Sequence, residues 1–288
     1  MSDLKITDVR SIAGDSAFLI DDGKTAILYD TGFAFTGYDV AKKIKAELGE
    51  RALDYIFLTH SHYDHALGSV YVLKYWPDAK VVAGEYAAKI FAKDSAKQLM
   101  RTLDRKFAEK CGVTEYEDLI DNLKVDIALE DQDTIKAGDM TFTAIALPGH
   151  TKCSIAFYLN EKKLLLGAET PGIFDGKELI FPTYLVGYQM TLDSIDKLLE
   201  FDIDNILIPH FGVLDKEATS FYLSNMKKST LEIAKAAAEI IKKDSKEAAA
   251  EYLKQMVRAS DLSEGYPPDA LELNTSIMVG VLEKELVL

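Results

Sequence analysis

Apolar runs broken by turn residues set the rhythm of the first half of the chain. Ala17–Ile20 and Thr25–Tyr29 flank Asp21-Asp22-Gly23-Lys24, and an Asp-Gly pair between two such runs predicts a β-hairpin. Tyr38–Leu48 spaces its apolar residues as a helix does, and Leu53–Thr59 reads as a buried strand. The second half repeats the style. Met140–Leu147 runs into Pro148-Gly149-His150, Ser154–Leu159 turns through Asn160-Glu161-Lys162 into a further short run, and a helix from about Leu192 to Glu200 precedes Ile206-Leu207-Ile208-Pro209-His210. Strands that alternate with helices in both halves predict an α/β fold: two sheets packed as a sandwich, helices outside, ligands delivered at strand ends between the sheets.

Two segments are additions to that plan. Residues 85–124 form an insertion whose first part, Glu85–Gly112, is helical in pattern. The tail from about Asp215 holds three helix candidates, two of which start on apparent capping boxes, Asp244 with Glu247 and Asp269 with Glu272 after Pro267-Pro268. The expected division is a catalytic domain over 1–214 and a helical extension over 215–288 that packs on or near the site as a lid.

Composition narrows the class. With 48% hydrophobic and 28% charged residues and 7 prolines, the chain of 288 residues is globular. The start lacks a basic leader and an apolar signal core, and no run approaches the roughly 20 apolar residues of a membrane span. Two cysteines, Cys111 and Cys153, rule out a disulfide scaffold and suit a reducing compartment, so a cytoplasmic location and no membrane partner are expected. A formal charge of −14 repels polyanions, which disfavours nucleic acid and leaves a small-molecule substrate as the expected partner. A homodimer is compatible with everything above.

The chemistry concentrates in the histidines. Three of the five lie in His60-Ser61-His62-Tyr63-Asp64-His65, directly after a predicted strand; His150 and His210 each close an apolar run. A structural role gives no reason to gather three imidazoles and a carboxylate in one turn. On an extended segment His60 and His62 point to the same side, while Asp64 and His65 follow at the turn into a helix and face elsewhere, so one loop can serve two adjacent cations.

The hexapeptide matches the His-x-His-x-Asp-His signature and so resembles the metallo-β-lactamase-fold hydrolases. Gly149-His150-Thr151, Gly167-Ala168-Glu169-Thr170 and Pro209-His210 arrive in that family's order, and Leu28-Tyr29-Asp30-Thr31-Gly32 is similar to its first aspartate motif. The likeness covers roughly residues 5 to 215 and implies an αββα sandwich with a dinuclear metal site. It implies His60, His62 and His150 on one divalent ion, Asp64, His65 and His210 on the other, and Asp30 orienting ligands from behind. A hydroxide shared by the two ions would be the nucleophile. Asp64 counts as catalytic as well as ligating. The family's bridging aspartate is replaced by Glu169, one methylene longer; bridging after a small backbone shift, ligation of a single ion with a weakened second site, and projection into the pocket are all open. Zinc is the first expectation for the metals, with iron and manganese compatible.

The layout is further similar to glyoxalase-II-like thioesterases and to the quinolone-signal-response thioesterase, which implies hydrolysis of a small thioester, lactone or ester. A thiolate, with a pKa near roughly 8.5, leaves without a dedicated general acid. Tyr184 and Tyr188 are candidate donors to a developing oxyanion. Lys89, Lys93, Lys97, Arg101 and Arg105 recur every fourth residue in a stripe that reads first as a solvated face and second as a surface for an anionic substrate. Two other classes fit the same residues: a metal-binding, signal-responsive protein with little turnover, and an iron-dependent redox enzyme.

Overall fold

The Asp21-Asp22-Gly23-Lys24 turn closes a hairpin in which Phe18–Asp21 (β2) pairs antiparallel with Ala26–Tyr29 (β3). Asp21 accepts from the Gly23 amide at 2.8 Å, Asp22 accepts from Lys24 and Thr25, and Gly23 takes φ +87°, a conformation its missing Cβ makes cheap. The computed structural model describes residues 4–288. Their contacts fall into two units, one running to Ala146 and taking in Ile155–Lys162, the other Leu147–Ser154 with Lys163–Leu288. The strands make two six-stranded sheets and a two-stranded ribbon, so the α/β sandwich class read from the sequence is the one adopted.

In the first unit, Lys5–Asp8 (β1), β2, β3, Tyr55–Leu58 (β4), Lys80–Gly84 (β5) and Ile127–Leu129 (β6) lie in that order, antiparallel up to β3 and parallel from β3 onward. β3 is buried at every position and β4 and β5 nearly so, as parallel strands covered on both faces must be. Gly37–Leu48 (α1) carries Val40, Ala41, Ile44 and Leu48 inward on helical spacing. Two single-turn helices, Tyr63–Ala66 (α2) and Ser69–Val72 (α3), follow β4. Thr134–Ala137 (β7), Met140–Ala146 (β8) and Ile155–Leu159 (β9) form an antiparallel set in which β7 alternates exposed and buried residues. Phe57 of β4 meets Phe142 of β8 at 5.1 Å and Phe157 of β9 at 4.7 Å between ring centroids, which is the sheet-on-sheet core.

The insertion contains Glu85–Phe91 (α4) and Asp94–Lys110 (α5). Its basic stripe is interrupted where Lys93 caps α5 rather than continuing a helix. Lys89 pairs with Glu85, Lys97 donates to the Asp121 carbonyl, Arg101 pairs with Asp118 and Asp121, and Arg105 pairs with Asp118. The stripe is therefore largely neutralised by the chain that returns along it.

The second unit holds Leu164–Leu166 (β10), Ile173–Phe174 (β11), Ile180–Phe181 (β12), Tyr188–Leu198 (α6), Asn205–Ile208 (β13) and Gly212–Leu214 (β14). β10 and β13 pair in parallel, and β13 and β14 antiparallel. Its tail is three helices, Lys216–Lys243 (α7), Lys246–Arg258 (α8) and Pro268–Leu282 (α9). Their apolar faces bury Ile233, Ala237, Leu253, Val257 and Met278 together with Tyr184 and Tyr188.

The helix starts differ from those expected. Asp244 ends α7, and it is Ser245 whose Oγ accepts from the Ala248 amide at 3.1 Å to begin α8. α9 starts on Pro268 with no side-chain cap: proline brings no amide needing a partner, so Asp269 lies within the first turn as a favourable charge instead. The cap that was not anticipated is Asp215, which accepts from Ala218 at 2.8 Å at the head of α7. α6 begins four residues before Leu192, and Glu285 from the last turn of the chain accepts from the Tyr188 and Gln189 amides at its N-terminus. Among the described residues, no helix is long and apolar enough to cross a membrane.

Candidate metal centre

In the first unit β4 delivers His60, His62, Asp64 and His65 at its carboxyl end, just where the apolar strand gives way to α2. The rings of His60 and His62 stand 4.6 Å apart, those of His60 and His65 4.0 Å apart, and His65 Nε2 lies 3.7 Å from an Asp64 oxygen. His60 and His65 are buried; His62 and Asp64 are partly open to solvent.

Asp30 organises this group. Fully buried in the turn after β3, with φ +51°, it accepts from His65 Nδ1 at 2.7 Å, from the Thr59 amide at 2.9 Å and from the Ser16 hydroxyl at 2.9 Å. A carboxylate can only accept, so the Nδ1 proton of His65 is fixed and its Nε2 lone pair is turned outward. Thr59 extends the control. Its hydroxyl has one proton, directed at Asp30 at 3.1 Å, and its oxygen then accepts from His60 Nδ1 at 2.9 Å. Asp30 thus sets the tautomer of two imidazoles, one directly and one through a threonine.

In the second unit His150 lies between the Pro148-Gly149 turn and Thr151, and donates from Nδ1 to the Thr183 carbonyl at 3.0 Å, which turns Nε2 toward Glu169. Gly149 is required there: its φ is +144°, and a Cβ would come within 2.3 Å of Thr191 Oγ1. Glu169 follows β10. One of its oxygens lies 2.9 Å from His150 Nε2 and the other 2.7 Å from His210 Nε2. A single carboxylate therefore spans two imidazoles through the nitrogens that metals take, and the glutamate is long enough to do so. His210 follows β13 with φ +63°, a left-handed conformation costly for a side-chain-bearing residue and a recurrent feature of functional sites. Thr183 serves this unit as Thr59 serves the other, holding His150 by its carbonyl and the Glu169 carbonyl by its hydroxyl at 2.6 Å.

Tyr184 and Tyr188 pack edge to face at 5.6 Å. Both are buried, and burial pushes both phenols above their ordinary range. The Tyr184 hydroxyl has no hydrogen-bond partner among the described residues. Cys153 is buried with its Sγ 3.2 Å from the Thr151 hydroxyl, and neither cysteine is in a disulfide. Thr59, Ser16 and Thr183 were not legible as site residues in the sequence; only the Thr59-His60 adjacency pointed toward one of them.

The donor set of imidazoles and carboxylates, with Nδ1 occupied and Nε2 presented, fits borderline divalent cations. An α/β sandwich carrying such donors at strand ends defines a class of metal-binding folds. The chain belongs to the metallo-beta-lactamase superfamily, whose family model matches residues 14–210. It is 24% identical over 175 residues to acyl-coenzyme A thioesterase MBLAC2 of Gallus gallus, covering 58% of this chain and 60% of that one. It is 32% identical over 122 residues to hydroxyacylglutathione hydrolase of Ectopseudomonas mendocina (strain ymp), covering 42% of this chain and 34% of the relative. The chain thus spans 60% or less of the length of these curated relatives. A metallo-beta-lactamase family protein of Thermus thermophilus shares the fold with TM-score 0.60 and 18% identity, over 93% of this chain and 88% of that one.

Proposed function

We propose that this protein is a dinuclear metallohydrolase of a small thioester, with lactones and simple esters as related substrates. The observation that carries the reading is Glu169 dividing its two oxygens between the Nε2 atoms of His150 and His210. Those contacts occupy the same two nitrogens that cations would claim, with Glu169 accepting from each. By resemblance to the family, one ion would be held by His60, His62 and His150 and the other by Asp64, His65 and His210, with Glu169 serving one or both. Bound there, divalent ions supply Lewis acidity toward a carbonyl and lower the pKa of water.

The side chains do the rest. Asp30, directly and through Thr59, and the Thr183 carbonyl hold three imidazoles in the ligating tautomer, so ligand orientation is in place before substrate arrives. The candidate donor to the substrate's oxyanion is Tyr184, whose hydroxyl is buried without a partner among the described residues. With all five histidines assigned as ligands, no imidazole remains to protonate a leaving group. A thiolate leaves without that help, whereas an amide nitrogen does not, and this favours a thioester. One of the relatives bears the name thioesterase. Zinc suits the donors best, iron and manganese next. Two free cysteines fit a reducing, cytoplasmic setting.

Metal analysis with a panel of thioesters, lactones and esters tests the proposal. The expected result is about two ions per chain and hydrolysis that chelation abolishes and metal restores. Less than one ion per chain, or hydrolysis indifferent to His62→Ala, overturns it.

A further inference from the structure

An aromatic surface runs away from the histidine motif within the first unit. Tyr63, between His62 and Asp64 in sequence, packs its ring 5.5 Å from that of Phe33. Phe33 meets Phe35 at 5.1 Å and Phe107 of α5 at 4.9 Å, and Phe35 meets Tyr116 at 6.3 Å. Phe33 is buried, but Phe35, Tyr63, Phe107 and Tyr116 each keep part of their surface in water. Four partly wet rings gathered around one buried ring make an apolar surface that starts at the histidine motif.

The patch is also braced from beneath. Asp104 of α5, wholly buried, accepts from the Ala34 amide at 2.8 Å and from the Tyr116 hydroxyl. Asp15, also buried, accepts from the Phe33 amide at 3.2 Å and from the Thr36 hydroxyl at 2.7 Å. Burying two carboxyl groups is costly, and here both are used to fix the backbone that carries Phe33 and Phe35 and the ring of Tyr116. The rings are therefore preset rather than loosely collapsed, the condition under which a surface binds without first ordering itself.

We propose that this wall is the acyl-group subsite of the hydrolase and that the group it accepts is flat and ring-bearing. The inference rests on the hydrolase reading given above. A substrate carbonyl attacked at the His60–His65 loop must send the rest of its acyl group along some surface, and Tyr63 is where that loop joins the wall. Rings tilted 33° to 66° to one another present faces and edges together. That geometry rewards another ring through offset and edge-to-face contact, while a polymethylene chain gains only area. Because Phe107 and Tyr116 come from the insertion, the insertion sets specificity.

The test compares phenylacetyl and acetyl thioesters of N-acetylcysteamine as substrates of the metal-loaded wild type, Phe107→Ala and Phe107→Leu, with metal content and melting temperature measured for each. A non-hydrolysable 2-phenylethyl thioether of the same thiol is titrated calorimetrically in parallel. Phe107→Ala should raise KM for the phenylacetyl thioester about tenfold and leave the acetyl thioester within about twofold, with Phe107→Leu between them. Equal changes for both substrates, or none for either, overturn the subsite. If neither thioester is turned over, the thioester reading fails, and the thioether decides the subsite separately. Binding weakened by Phe107→Ala sustains it, while no binding, or equal binding to both proteins, removes it.

Discussion

The two units present their ligands by opposite means. In the first, four candidate ligands sit in one turn, and a single buried carboxylate outside the turn, Asp30, holds His65 directly and His60 through Thr59. In the second, the ligands come from three places 19 to 41 residues apart in sequence, and the organising carboxylate, Glu169, is itself one of them. The first unit separates holding from ligating; the second combines them. Each also keeps a candidate site residue in a left-handed conformation, Asp30 in the first and His210 in the second. Damage to the organiser should therefore act differently in the two units, and that difference can be measured.

The largest effect is expected from Glu169. Glu169→Ala removes a ligand and the partner of both His150 and His210, and hydrolysis should fall by about 10³-fold or more with loss of bound metal. Glu169→Asp is the sharper variant. If the extra methylene is what lets one carboxylate span two imidazoles, the shorter side chain should retain one ion and lose the other, as read by metal analysis. Retention of both ions with full activity would remove the special role given to this glutamate.

Next in size is the first unit's organiser. Asp30→Asn keeps the shape but can no longer accept from every donor, so metal affinity should fall by about 10- to 100-fold, with activity recovered at high metal concentration. Thr59→Val should give a smaller loss in the same direction, since it cuts only the route to His60. If Asp30→Asn were not rescued by metal, its role would be in the chemistry rather than in holding ligands.

The same contrast explains what could be read in advance. The first unit's ligands were legible because strand, turn and donors are contiguous, and the hexapeptide needs no tertiary information. His150 and His210 were legible only as ends of apolar runs, and Glu169 only through family order. Ser16, Thr59 and Thr183 escaped because a hydroxyl or carbonyl acquires its role from what folding brings to it: Ser16 is 14 residues from Asp30, and Thr183 is 33 from His150. Hairpin and strand positions followed directly from alternation and turn residues. The start of α8 was displaced by one residue because Asp244 and Ser245 are both good caps, and which one works depends on where α7 stops.

The first unit also buries a carboxyl whose titration bears on stability. The first unit contains Asp104, whose carboxyl burial raises to about 7, with the charges of Asp15 and Asp118 pushing the same way against the hydrogen bonds from Tyr116 and Ala34. In the unfolded chain it titrates near 3.8. Between these values the folded state holds more protons than the unfolded state, so stability falls as pH rises through this window and the full penalty is present above pH 7. Asp104→Asn keeps an acceptor for Ala34 and can donate to the Tyr116 oxygen. It should flatten that fall and exceed wild-type stability above neutrality by about 2–4 kcal/mol, measured by denaturant unfolding across pH. A wild-type profile already flat from about pH 4 to 8 would show that the native carboxyl is not perturbed.

The smallest effect is expected at Tyr184, and it has two signs. Its hydroxyl is buried without a partner among the described residues, so in the free protein it costs stability. Tyr184→Phe removes the hydroxyl and keeps the ring against Tyr188, and should stabilise the protein by about 1 kcal/mol. If that hydroxyl is kept unsatisfied in order to meet the substrate's developing charge, the same variant should lose about tenfold in kcat with little change in KM, the size of one ordinary hydrogen bond made only in the transition state. A gain in melting temperature with kcat untouched would make Tyr184 a packing residue of the second unit. A loss of both would mean that the hydroxyl has a partner in solution and that its role is structural.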